Sequence, residues 1–92
     1  MPTRDYAVLD RIIASVFNRI PAQDVSLART THVFAGSAHV TGWTARARVE
    51  RMGKRGQRLG RGTEELSGDG ESPEEAAAKL VQVYEWRRSG LI

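Results

Sequence analysis

Val8, Leu9, Ile12, Ile13, Val16, Phe17 and Ile20 recur at spacings of three and four near the start of the chain. That spacing gathers them on one face of an amphipathic helix. Thr3 suits the N-cap and Asp5 the first turn, where a carboxylate complements the helix dipole. Pro21 ends the helix near Arg19, because the residue before a proline avoids helical backbone angles. The predicted helix covers about residues 4–19. Phe17 falls in the middle of its apolar stripe and reads as a core residue, whose truncation to alanine costs about 3–5 kcal/mol.

From Pro21 to Thr31 the pattern has no clear period. "AQDVSLART" suits a short helical turn or an irregular loop. "THVFAG" then reads as a short strand, with Gly36 and Ser37 as the turn after it. "WTARARVERM" alternates cleanly. Trp43, Ala45, Ala47 and Val49 fall on one face, and Thr44, Arg46, Arg48 and Glu50 on the other, as in a half-buried strand. "GKRG" closes a hairpin and "QRLGRGTEEL" returns as the third strand, where Gly60 and Gly62 point to a bulge or a close backbone approach. "SGDGE" reads as a loop.

The last helix is the most fully specified element. Ser72 is its N-cap, Pro73 fits the first helical position and Glu75 completes a capping box. Ala77, Leu80, Val81 and Tyr84 make an inward stripe. Arg87 and Arg88 complement the dipole in the last turn, and Gly90 stops the helix. The order helix, three strands, helix gives an α+β fold: an antiparallel three-stranded sheet (αβββα) with both helices packed on one face. Trp43, Ala45, Ala47 and Val49 are expected to meet Ile12, Ile13, Val16, Phe17, Leu80, Val81 and Tyr84 in one core. Trp86 is expected to be packed; exposed beside Arg87, it would instead resemble an interface anchor.

Ninety-two residues make a single domain spanning 1–92. The chain has no cysteine, which excludes a disulfide framework and a thiolate metal site. It shows neither a signal-peptide pattern nor an apolar run of membrane-spanning length. The expectation is a cytoplasmic protein without membrane association, monomeric or homodimeric. His32 and His39 lie seven apart with no further ligand set around them, so no metal or cofactor is expected. No serine carries a nucleophile signature, and "GRGTEELSGDG" lacks the strand, loop and helix order of a phosphate loop. An enzyme is not expected.

Charge changes the picture more than composition does. Residues 46–61 hold seven bases and one acid, whereas residues 64–75 hold six acids and no base. Arg46, Arg48, Lys54, Arg55, Arg58 and Arg61 would form a basic hairpin able to attract phosphates. Glu64, Glu65, Asp69, Glu71, Glu74 and Glu75, close in sequence, would form one acidic surface able to steer toward a basic protein cleft.

Two resemblances give these blocks a meaning. The element order resembles the double-stranded-RNA-binding domain. "GSAH" at residues 36–39 is similar to that family's minor-groove loop, "WTARARVERMGK" to its second strand, and "GDGESPEEAAAKL" to the start of its last helix. That resemblance implies a nucleic-acid-binding module. The family's phosphate-gripping lysines, however, are replaced here by Pro73, Glu74 and Glu75, and its loop proline by Ser37. "ARVERMGK", followed by "AAAKLVQVYEW", resembles small phage-encoded anti-CRISPR proteins that inhibit type I systems. That resemblance implies a non-enzymatic inhibitor in the host bacterial cytoplasm, binding a CRISPR-associated protein and blocking DNA engagement or nuclease recruitment.

Overall fold

A computed structural model describes residues 2–34, 38–53 and 58–90, with side chains described over 7–30, 42–53 and 62–90. The elements run α1 (Pro2–Arg19), β1 (Ala22–Phe34), β2 (Ala38–Met52), β3 (Arg58–Gly70) and α2 (Pro73–Arg88). The fold is the expected αβββα arrangement, an antiparallel sheet in the order β1-β2-β3. Helix α1 leans on β1 and α2 while α2 covers β2 and β3, so both helices occupy one face. The helix α1 starts at Pro2, which places Thr3 inside the helix and not at its cap. The turns expected at Gly36–Ser37 and after Gly53 lie outside the described residues.

Strands β1 and β3 are longer than the sequence pattern suggests. Residues Ala22–Thr30 are strand, not loop or helical turn. A register shift between Ala22 and Asp24 inserts one residue and breaks the period there. Beyond it, Val25 and Leu27 face the helices, while Asp24, Ser26 and Ala28 face away. Ser67–Gly70, expected as loop, complete β3 and pair with Trp43–Arg46. The expected β3 irregularity is present: Glu50 pairs with Thr63 but Met52 with Arg58, and Gly62 takes φ 74°.

The core joins Val16 and Ile20 of α1, Val25 of β1, Ala45, Ala47, Val49 and Met52 of β2, Leu66 of β3, and Ala76, Ala77 and Leu80 of α2. Ile12, Ile13, Leu27, Trp43, Val81 and Tyr84 pack around it, partly buried. Ile20, Leu80, Val16 and Val49 are the largest fully enclosed side chains. Each contributes about 1.5–3 kcal/mol by leaving water. Phe17 does not join them: it is 44% exposed. Successive helical residues turn by about 100°. The buried line of α1 runs through Val16 and Ile20, and Phe17 falls on the flank turned away from α2.

Helix α2 approaches the sheet almost to backbone contact. A side chain at Gly68 would run into the Leu80 amide nitrogen and come within 2.8 Å of the Lys79 carbonyl carbon. One at Gly70 would meet the Glu75 carbonyl carbon at 2.8 Å. Glycine on β3 and Ala76 and Ala77 on α2 therefore set the spacing between the layers. The Ser72 hydroxyl accepts the Glu75 amide at 3.1 Å, capping the helix as expected. Gly90, with φ 81°, donates its amide to the Arg87 carbonyl and closes the C-terminal end.

Candidate functional site

Alternation along β3 decides where the carboxylates point. Glu64 pairs with Val49, on the helix-facing side, and Glu65 with Arg48, on the opposite side. The acidic block is thus divided by the sheet. Glu64 is half-buried under the end of α2. Its Oε1 accepts a hydrogen bond from Arg87 Nη2 at 3.2 Å. Its Oε2 lies 3.1 Å from Arg87 Nε as an ion contact without hydrogen-bond alignment. Arg87 also donates to the Gly53 carbonyl at 3.0 Å and to the Met52 carbonyl. This arginine ties α2 to the end of β2 and to β3, a duty beyond the dipole role expected of it. Leu80, Tyr84 and Arg87 share one helix face at spacings of four and three, which is the signal that could have located it.

Glu65 and Asp69 are exposed on the sheet face opposite the helices. Asp69 accepts a hydrogen bond from the Thr44 hydroxyl at 2.8 Å, and Thr44 meets the Thr30 hydroxyl at 2.8 Å. That chain of hydroxyls crosses all three strands. Glu71, Glu74 and Glu75 are exposed where α2 begins. Glu75 Oε1 accepts the Glu71 amide at 3.3 Å, one residue outside the capping-box partner. Glu74 borders an open groove between α1 and α2, with Arg19 among its lining. No ion pair holds Glu65, Asp69, Glu71, Glu74 or Glu75 among the described residues.

The basic block is divided as well. Arg46 and Arg48 are exposed on the open sheet face. Arg46 stands in register between Ser26 and Ser67, and Arg48 between Asp24 and Glu65. Lys54 and Arg55 lie outside the described residues; Arg58 and Arg61 belong to β3 with their side chains outside them. The side chains of His32 and His39 also lie outside them. Trp86 is neither core nor bare anchor: it is half-buried, with the Lys79 ammonium 4.8 Å from its ring centre. Glu85 accepts a 2.6 Å hydrogen bond from Arg88, which raises that guanidinium's pKa above its ordinary value. An exposed pair of this kind adds little to stability.

A second groove, about 330 Å³, lies between the start of α2 and Val8, Leu9, Arg29 and Trp43. The Arg29 guanidinium sits 5.9 Å from the Trp43 ring centre. Among the described residues no three metal-ligating side chains come together, and no helix is long and apolar enough to cross a membrane. No family model, characterised protein or solved structure matches the chain.

Proposed function

We propose that this chain is a non-enzymatic, protein-binding inhibitor of the anti-CRISPR kind. It acts in the host bacterial cytoplasm on a CRISPR-associated protein of a type I system, and blocks DNA engagement or nuclease recruitment. One observation carries the choice of protein over nucleic acid: the start of α2 is closed by its own groups. The Ser72 hydroxyl and the Glu75 carboxylate take up the Glu75 and Glu71 amides. Exposed Glu71, Glu74 and Glu75 surround them. A helix N-terminus ordinarily welcomes phosphate, but carboxylates there repel it. They favour a basic protein cleft, such as one that itself holds nucleic acid. Glu65 and Asp69 extend this negative surface around the edge of β3, while Glu64 is committed to Arg87.

Reversal of Glu65, Asp69 and Glu71 to lysine tests the reading, because these residues contribute little to folding. The wild-type chain is expected to protect phage in a plaquing assay on hosts with an active type I system. The triple variant is expected to fold, by circular dichroism, and to lose that protection. A folded variant that protects as well as wild type removes the acidic surface from the mechanism. Failure of the wild type against every type I system tested removes the inhibitor reading. Retention of duplex RNA by the wild type at low salt would move the function to exposed Arg46 and Arg48.

A further inference from the structure

The two edges of the sheet are built differently. Strand β3 carries Glu64, Glu65 and Asp69, four glycines and an irregular register. Charges, bulges and glycines of this kind blunt an edge against pairing with another chain. The edge of β1 has no such guard between its two charged residues, Asp24 and Arg29. Val25, Ser26, Leu27 and Ala28 are uncharged, and all are paired regularly to β2 on the other side. Among the described residues no backbone group pairs with the outer edge of this stretch. Phe17, the most exposed large hydrophobic residue described, lies on the flank of α1 away from α2. Because α1 rests on β1 and α2 on β2 and β3, that flank lies on the β1 side of the sheet.

We infer that the protein forms a two-fold homodimer by antiparallel pairing of its β1 edges, with Phe17 of each copy closing over the seam. A second copy is the occupant because the edge is its own complement. About a two-fold axis at Ser26, Val25 meets Leu27 of the second copy on the helix side, and Leu27 meets Val25. On the open side Ser26 meets its own counterpart and Asp24 meets Ala28. Arg29 falls opposite the uncharged bulge residue Gln23, where regular pairing ends, so no like charges oppose one another. Moving the axis to Leu27 would set Val25 against Arg29, which matches the side chains less well. The bulge between Ala22 and Asp24 of each copy limits the seam, one at either end. An interface of this kind is isologous and closes at two chains, joining two three-stranded sheets into one. The inference is independent of the inhibitor reading.

Sedimentation equilibrium of the full chain is expected to show the mean mass rising from the 10.2 kDa chain mass at low micromolar concentration toward twice that value at millimolar concentration. Phe17→Glu is expected to weaken the dimer by about tenfold or more, as loss of a buried aromatic anchor does. Its circular dichroism should be unchanged. The chain has no cysteine, so single substitutions report distance cleanly. Ser26→Cys is expected to crosslink with a short thiol reagent, and Ser67→Cys on β3 is not. A wild-type mass of 10.2 kDa at millimolar concentration overturns the inference. So does a dimer in which Ser67→Cys crosslinks as fast as Ser26→Cys. If Phe17→Glu fails to fold, the crosslinking contrast still decides.

Discussion

Helix α2 lies against the backbone of the sheet, whereas α1 rests on side chains alone. Beneath α2, Gly68 and Gly70 let the helix backbone approach β3 with no side chain between them at those positions, and the Arg87 guanidinium fastens the far end to two carbonyls and a carboxylate. Beneath α1, Val16 and Ile20 enter the core, while Phe17 stays largely in water. A glycine seat tolerates no added volume, since close-packed backbones cannot move apart locally. A side-chain seat can repack and can leave apolar surface for another molecule. The difference assigns the two helices different work: α2 specifies the fold, and α1 has surface to spare for association.

The strongest way to break the comparison is at Gly68. The Gly68→Val change forces side-chain atoms into the Lys79–Leu80 peptide. The cost is expected to be about 3 kcal/mol or more, at the upper end of overpacking. Urea denaturation would read it as a lower midpoint, together with loss of the dispersed amide spectrum if α2 lifts off. A midpoint near that of wild type would mean that α2 has room to move and does not set the layer spacing.

A smaller effect is expected at the other end of α2. Arg87→Ala leaves the Met52 and Gly53 carbonyls without their guanidinium donor and Glu64 without its cation. Unpaired groups in such a half-buried setting cost about 1–3 kcal/mol. A double-mutant cycle with Glu64→Ala separates the ion pair from the carbonyl contacts. Strict additivity would show that Glu64 contributes nothing to the clamp. It would then return Glu64 to the exposed carboxylates as a candidate for partner binding.

These placements show what the sequence could carry. The α2 helix was legible because each signal was local: Ser72, Pro73 and Gly90 act within a few residues of one another. The central strand was legible because Trp43, Ala45, Ala47 and Val49 alternate without interruption. The first half of β1 was not, because the bulge after Ala22 shifts the phase just where the strand begins. Ser67–Gly70 read as loop because glycine and aspartate are poor strand formers. Gly68 and Gly70 are required there by α2, a contact that is remote in sequence. Contiguity misled in the acidic block, since neighbouring residues on a strand face opposite sides. Glu64 shares the parity of Leu66 and so points inward, which the sequence contained but the count of charges concealed.

The last prediction returns to Phe17, where helical periodicity and packing diverge. The stripe from Val8 to Ile20 is wider than the surface that β1 and α2 offer to α1, so one flank of it is left over. Phe17→Ala is therefore expected to lower the stability of the monomer by less than about 1 kcal/mol, near the range of surface substitutions. Ile20→Ala, three residues further on and fully enclosed, is expected to cost about 2–5 kcal/mol. Both are measured by chemical denaturation at low micromolar concentration, where the dimer is dissociated. Equal losses for the two would place Phe17 in the monomer's core and erase the contrast between the helices. At high concentration the two variants should differ in kind. Association stabilises the folded state by mass action and makes the melting temperature rise with concentration. Ile20→Ala should lower the whole curve and keep that rise. Phe17→Ala should leave the dilute melting temperature nearly unchanged and flatten the rise, because what it removes is contact with the second chain.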